Sequence, residues 1–350
     1  MTAPASRPGP IFRAVGAAVR LTGRMNRPGR RPPVAAVPRA LRLTVAEVHR
    51  EATDVVSLRL TAPDGAGLPP WHPGAHLDLE LPSGRVRQYS LCGDPADTGG
   101  YRIAVRRIPD GDGGSREVHT LRPGASVTVR GPRPAFPLVR APRYLFLAGG
   151  IGITPILPMV CAVAATGADW RLVHTGRDRA SMPFAGELAR LDPARVVIRP
   201  DDEHGGPPDG TELLRHAPGE HSTGYLCGPA PMLAAARRAW AGLPAGRLDA
   251  LHVERFGAPP VLGGRPFTVE LARTGATLAV PADRTVLDAV RATVPGVAFS
   301  CRQGFCGTCR TRVLAGPVEH RDRALTGAER ASDMAICVSR AAGDRLVLDL

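Results

Sequence analysis

Four of the seven cysteines stand in the pattern Cys301-x4-Cys306-x2-Cys309-x27-Cys337. Three thiolates on one short loop with a fourth far along the chain is the spacing that holds a plant-type 2Fe–2S cluster. Such a loop turns its N–H groups inward around a negatively charged inorganic core. Gly304 and Gly307 permit the backbone conformations this needs. A four-cysteine zinc site is the competing metal reading, but zinc ribbons usually pair two knuckles and only one C-x2-C is present. Cys92, Cys161 and Cys227 do not fit the spacing, and each alone reads as a small buried apolar residue.

Two further constellations could do chemistry. Gly149-Gly150-Ile151-Gly152-Ile153-Thr154-Pro155 follows the apolar run Tyr144–Ala148 and opens a helix-like stretch that reaches Gly167. Thr154 is placed to cap that helix, Pro155 suits its first position and Gly167 can end it. A glycine turn between strand and helix lets the backbone approach a pyrophosphate closely, and the helix N-terminus attracts the anion. Cys227-Gly228-Pro229 ends a later strand, at the edge where ligands of parallel sheets sit. The second constellation is Arg87-Gln88-Tyr89-Ser90 on a strand-like segment. Arg pairs with phosphate, Tyr lies against flat rings and Ser hydrogen-bonds ring nitrogens, although an ordinary exposed strand has the same residue types.

The elements that must position these residues fall into three blocks. From Leu41 the pattern alternates: Leu41–Val45, Val56–Leu60, His76–Leu81, Val86–Leu91, Tyr101–Arg106 and Ser126–Arg130. Short strands separated by Gly, Pro and Asp predict a small antiparallel barrel over 41–140, with Gly113-Gly114-Ser115 opening a turn or two of helix. From Arg143 strands at Tyr144–Ala148, Arg171–Thr175, Arg195–Arg199, Gly224–Cys227 and Leu251–Arg255 alternate with helical stretches. That alternation predicts a parallel α/β sheet over 141–257. A Gly/Pro linker, 258–265, leads to a third unit, 266–350. Its alternating strands, one helix at Val286–Val290 and a capping box at Thr326–Glu329 predict an α+β unit small enough to gain from a metal centre.

Composition bounds the function. All 45 basic residues are arginine, and the net charge is +13. Residues 1–40 hold eight arginines and no acid, which leaves +5 on the remaining 310 residues. A basic extension joined to a nearly balanced body does not read as a nucleic-acid binder. Within the extension, Ile11, Val15, Ala18 and Thr22 share a helical face; a flexible tail and a short basic amphipathic helix are the two readings. No apolar run reaches membrane-spanning length and no signal peptide opens the chain, so the expectation is a cytoplasmic protein with reduced cysteines.

Taken in order, Arg87-Gln-Tyr89-Ser90-Leu-Cys, Gly113-Gly114-Ser115, the glycine turn at 149–155, Cys227-Gly228-Pro229, Glu254-Arg-Phe256-Gly and the four cluster cysteines resemble the phthalate dioxygenase reductase and vanillate demethylase reductase family, within the wider ferredoxin–NADP reductase-like group. The resemblance covers about residues 41–350. It implies a multidomain protein: an antiparallel β-barrel for FMN, a parallel-sheet domain for NAD(P)H and a C-terminal β-grasp ferredoxin with a 2Fe–2S cluster on Cys301, Cys306, Cys309 and Cys337. It also implies residue roles. Arg87 binds the flavin phosphate, Tyr89 packs on the ring system and Ser90 contacts its reactive nitrogen. Ala104, Val105 and Arg106 line the flavin, and Gly114 and Ser115 offer N–H groups to its phosphate. Gly150, Gly152, Thr154, Pro155, Cys227 and Gly228 border the nucleotide, and Phe256 stands where the nicotinamide enters.

A nicotinamide gives two electrons as hydride and a 2Fe–2S cluster takes one, so a flavin between them solves the counting problem. The expected protein is therefore a monomeric NAD(P)H-dependent reductase that feeds a separate terminal oxygenase. That oxygenase would be Rieske-type, with a haem-thiolate monooxygenase as the alternative acceptor and a redox-sensing module as the non-enzymatic one. Asp178, just after the second strand of the parallel sheet, favours a free ribose hydroxyl and hence NADH; Arg177 and Arg179 could instead hold the extra phosphate of NADPH.

Overall fold

The computed structural model describes residues 40–350 apart from 112, 258–260, 300, 301, 305 and 306. The reading of the basic extension, and two of the four cluster cysteines, Cys301 and Cys306, lie outside the described residues.

Six strands, β1 (Leu41–Ala52), β2 (Val55–Thr61), β3 (Ala75–Glu80), β4 (Val86–Ser90), β5 (Tyr101–Arg106) and β6 (Ser126–Pro134), form an antiparallel sheet in the order β4-β3-β6-β1-β2-β5. It closes on itself where Leu91 bridges to Ile103. Alternation explains the closure: Leu77 and Leu79 of β3 point inward with Leu43, Val45, Leu58 and Leu60, all essentially inaccessible. Each such side chain contributes about 1.5–3 kcal/mol on burial. Between β5 and β6 the chain makes one helical turn, α1 (Gly114–Val118).

The second block is β7 (Arg143–Gly149), α2 (Ile153–Ala164), β8 (Asp169–Gly176), α3 (Ala185–Leu188), β9 (Val196–Pro200), α4 (Gly210–Leu214), β10 (Ser222–Cys227), α5 (Ala230–Ala241) and β11 (Leu248–Glu254). Its strands are parallel in the order β11-β10-β7-β8-β9, so the winding reverses between β7 and β10. On one face Phe146, Leu172 and Ile156 join Val55, Cys92, Ala104 and Phe136 of the barrel in one continuous core. On the other, Leu145, Leu147 and Val173 pack on Leu233 and Ala236 of α5. Arg102 of β5 donates twice to the Glu187 carboxylate of α3, at 2.6 and 2.8 Å, and ties the two blocks at their rim.

The third block is β12 (Phe267–Leu271), β13 (Thr277–Val280), α6 (Val286–Thr293), β14 (Arg310–Ala315), β15 (Val318–Glu319), α7 (Gly327–Arg330), β16 (Asp333–Ala335), β17 (Arg340–Ala341) and β18 (Arg345–Leu348). The mixed sheet β13-β12-β18-β14-β16 carries α6 through Val286, Leu287 and Val290, which is the β-grasp arrangement. Thr326 and Glu329 form the capping box that their spacing predicts.

Local details differ from the sequence expectation. α2 begins at Ile153, two residues earlier than a Thr154 cap would place it. The Thr154 hydroxyl donates to Ile151 O at 3.0 Å instead of accepting from the helix. A tight turn at Gly150–Gly152 leads straight into the helix, so no residue is left in the extended conformation that a side-chain cap needs. Cys92 and Cys227 are buried as expected, whereas Cys161 is exposed on the outer face of α2.

Candidate functional site

β4 carries Arg87, Tyr89 and Ser90 at the edge of the barrel sheet. The strand's alternation sets Arg87 and Tyr89 on one face and Gln88 and Ser90 on the other. Ser90 is buried and Tyr89 half-buried. Arg87 lies across the start of α1: a Cβ added to Gly114 would stand 2.6 Å from Arg87 Nε, so only glycine permits this approach. The N–H groups of Gly114 and Ser115 have no acceptor inside the helix, as at any first turn. The Ser115 hydroxyl accepts from Ile108 N–H at 3.0 Å and fixes the preceding loop. On β5, Ala104 packs into the core shared with the nucleotide block while Val105 points into the barrel core. Only one of the two can therefore turn a side chain to a ligand; Arg106 is exposed at the strand end. Behind β4, Gln88 donates to Asp78 at 2.9 Å and Arg133 to the other Asp78 oxygen at 2.7 Å, a polar buttress that sequence reading did not single out.

In the parallel sheet the glycine turn lies against the end of β10. A Cβ on Gly152 would fall 2.2 Å from Cys227 O, and one on Gly149 would fall 2.5 Å from Pro229 Cδ. The sheet thus brings Gly149–Gly152 and Cys227–Pro229 together at its winding reversal, where open α/β sheets bind ligands. Cys227 is directly paired with Glu254 of β11. Burial raises the Glu254 carboxyl to about 8, and its Oε2 has no hydrogen-bond partner among the described residues. Burial, with the Glu254 charge added, holds the Cys227 thiol well above its ordinary value. Both shifts favour the neutral forms. Sequence analysis quoted Glu254 only as the first residue of Glu254-Arg-Phe256-Gly and gave it no role; its signal is an acid at the end of the strand at 248–254.

One oxygen of the Asp178 carboxylate is engaged locally. Its Oδ1 accepts from Ser181 N–H at 2.8 Å and caps a short turn, and Arg179 is engaged by Glu203 through two bonds of 2.5 and 2.8 Å. Asp201 N–H donates to Gly176 O and Asp202 N–H to Arg177 O, so the acidic run Asp201-Asp202-Glu203 lies alongside this loop.

In the third block Cys309 and Cys337 are both buried. β14 and β16 pair Arg310 with Ala335, and Ile336 N–H donates to Cys309 O at 3.3 Å, which brings the two cysteine-bearing segments side by side. Gly304 is left-handed, with φ of 77°, as a loop with inward N–H groups requires. Two buried thiol residues converging beside such a loop fit the donor chemistry of a cluster. The Gln303 side-chain amide donates to Arg255 O, so this loop reaches the segment that carries Phe256, itself half exposed.

Comparison with known proteins agrees with this architecture. Residues 41–137 match the family described as "Oxidoreductase FAD-binding domain", and residues 269–342 match the "2Fe-2S iron-sulfur cluster binding domain". The phenoxybenzoate dioxygenase subunit beta of Ectopseudomonas oleovorans is 42% identical over 315 residues, 88% of this chain and 97% of that protein. The solved structure of a phthalate dioxygenase reductase superposes with a TM-score of 0.66 at 37% identity, covering 89% of this chain and 98% of that one. The chain belongs to the phthalate dioxygenase reductase family. An intact type IV self-sufficient cytochrome P450 monooxygenase matches this reductase at TM-score 0.69 and 40% identity, over 92% of this chain. The chain spans 43% of that longer protein. Like its family, the protein is a flavin and iron–sulfur oxidoreductase. No described helix is long and apolar enough to cross a membrane.

Proposed function

We propose that this reductase takes electrons from NADH through FMN and a 2Fe–2S cluster and delivers them to a separate terminal oxygenase of the Rieske type. The observation that carries the reading is the Gln303–Arg255 contact, which joins the cysteine loop to the Phe256 segment at the exit of the nucleotide sheet. When bound, the flavin and the cluster would supply the conversion of a hydride into single electrons.

The chain's own residues bind, orient and insulate. Arg87 pairs with the flavin phosphate while Gly114 and Ser115 give it N–H groups; Tyr89 covers the ring, Ser90 meets its edge and the backbone of 104–106 flanks it. Gly150, Gly152 and the first turn of α2 from Thr154 and Pro155 receive the pyrophosphate. Cys227 and Gly228 wall the nicotinamide, with Phe256 at its entrance. Cys301, Cys306, Cys309 and Cys337 ligate the iron. Neutral Cys227 and Glu254 present no charge against the hydride path. Both FMN and FAD fit a phosphate on Arg87; the family resemblance implies FMN, although the matching domain family is described by FAD. Asp178 and the acidic run Asp201-Asp202-Glu203 beside the loop that follows β8 support NADH, and the pairing of Arg179 with Glu203 takes up one of the two arginines that could hold a 2′-phosphate.

The self-sufficient P450 match favours a second acceptor, a haem-thiolate monooxygenase. Acid release of the flavin with chromatographic identification, kcat/KM for both nucleotides, and rates of electron delivery to one Rieske oxygenase and one haem-thiolate enzyme test the proposal. An NADPH preference overturns the nucleotide assignment, released FAD overturns the flavin assignment, and faster delivery to the haem-thiolate enzyme overturns the acceptor.

A further inference from the structure

Three stretches of the third block meet at Gly304: the loop that bears the first three cluster cysteines, the segment 320–325 between β15 and α7, and residues 337–339 after β16. A Cβ added to Gly304 would stand 2.6 Å from Val338 Cγ2 and 3.1 Å from Asp322 Cα. Gly304 O accepts from Arg323 N–H at 2.8 Å and from Ala324 N–H at 3.1 Å. The cysteine loop is therefore fastened to residues 323 and 324 through backbone.

A side chain carries the connection on to the fourth cysteine. The Asp322 carboxylate is fully buried. Its Oδ1 accepts from the Ser339 hydroxyl at 3.1 Å, and its Oδ2 accepts from Leu325 N–H at 3.0 Å. Ser339 is fully buried two residues after Cys337, and its hydroxyl accepts from Arg321 N–H at 3.2 Å. His320 Nδ1 lies 3.5 Å from Oδ1. An Arg330 guanidinium nitrogen lies 3.8 Å from Oδ2 and donates to Asp322 O at 2.7 Å. Burial opposes the charge, but Leu325 N–H, the Ser339 hydroxyl and Arg330 outweigh it and hold the carboxyl below its ordinary value. An apolar side chain could fill this space without burying a charge, so packing alone does not account for an acid here.

We propose that Asp322 is a positioning residue of the cluster centre: its carboxylate locks the three-cysteine loop to the stretch of the fourth cysteine, and its charge, set directly behind the loop, makes the centre harder to reduce. This role rests on the reading of the four cysteines as ligands of a 2Fe–2S cluster. The lock follows from connectivity. One carboxylate oxygen shapes the turn whose N–H groups hold Gly304 O, and the other holds Ser339 beside Cys337. The charge acts because reduction adds one electron, and the charge around such a centre is among the determinants of its potential. A fixed negative charge about 15 Å from a centre that gains one electron opposes the gain about fivefold at an effective dielectric of about 20.

The full chain, loaded with flavin and cluster, is titrated with dithionite in the presence of mediator dyes, and the cluster midpoint is read from its visible absorbance. Asp322→Asn keeps the shape and an acceptor for Leu325 N–H but removes the charge. Its cluster is expected to be reduced about fivefold more readily, a midpoint shift of about 40 mV upward for one electron, with flavin content as in the parent. A space-filling role would leave that midpoint where it is. Ser339→Ala keeps the charge and cuts the lock. An excess of an iron chelator is expected to bleach its cluster about fivefold faster than that of the parent, as for one lost buried hydrogen bond. An unchanged or lower midpoint in Asp322→Asn overturns the charge effect, and bleaching of Ser339→Ala at the parent rate overturns the lock. The two variants are independent, so poor loading of one leaves the other decisive. Failure of the cluster reading shows separately, as a parent protein that binds no iron and sulfide on its cysteines.

Discussion

Replacing Glu254 by glutamine removes an ionisation that the fold opposes. In the native protein burial raises this carboxyl from 4.5 to about 8. Below pH 4.5 folded and unfolded chains both hold the proton, and the group costs nothing. Between pH 4.5 and 8 the unfolded chain has released it and the folded chain has not, so stability falls as pH rises. The loss levels off only above 8, where the folded form also ionises. At about 1.4 kcal/mol per unit, the penalty is about 3 kcal/mol at pH 7 and about 5 kcal/mol above pH 8. Glutamine keeps the shape of the neutral acid and cannot ionise. The amide adds an offset of its own, but that offset does not vary with pH. The melting temperature of Glu254→Gln minus that of the parent is therefore expected to rise by about 4 °C between pH 6 and pH 8.5, for a body of this size. Differential scanning calorimetry on the flavin-loaded protein at both pH values reads it directly. A difference that stays constant with pH would show that Glu254 ionises normally in the folded state, and would remove the argument for a neutral acid beside Cys227.

Other perturbations follow from close approaches. Gly114→Ala puts a methyl group 2.6 Å from Arg87 Nε and pushes the guanidinium off α1. Flavin affinity should fall about tenfold, as for loss of a charge-assisted bond, by fluorescence of the released flavin; unchanged affinity would take Arg87 out of the phosphate site. Gly152→Ala brings Cβ to 2.2 Å from Cys227 O, backbone against backbone. It is expected to cost about 1–3 kcal/mol and to raise KM for NADH while flavin content stays normal; a normal KM would separate this turn from nucleotide binding. Cys309→Ala should lose the cluster's visible absorbance and cytochrome c reduction but retain NADH-to-ferricyanide activity. Retained cytochrome c reduction would take the cluster off the pathway.

The fold was legible where one period dominated over many residues. The alternation of β3 and β5 gave the barrel, and strand–helix alternation after Arg143 gave the parallel sheet with its glycine turn. The cysteine spacing carried the cluster because ligand geometry leaves little freedom in sequence. What stayed hidden depended on contacts between distant elements. Asp178 looks like a ribose ligand in sequence, yet the cap on Ser181 competes for its carboxylate, and nothing local reveals which partner wins. Glu254 was visible in sequence only as the start of Glu254-Arg-Phe256-Gly, and its place beside Cys227 follows from the pairing of β10 with β11. The acidic run at 201–203 gained meaning from two backbone bonds that fold it against Gly176 and Arg177. Adjacent residues such as Ala104 and Val105 carry similar sequence character, and only the strand's two faces tell them apart.

The barrel and the parallel sheet share one apolar core, whereas the third block has a core of its own. This division matches the unequal demands of the two transfers. A hydride crosses only at van der Waals contact, so its donor and acceptor need supports that do not slide past one another, and a common interior supplies them. An electron tunnels across a gap and tolerates a few ångströms of play. The small block, attached more by its surface than by shared interior, can be worn, lost or exchanged over evolutionary time without disturbing the jig in which the hydride moves.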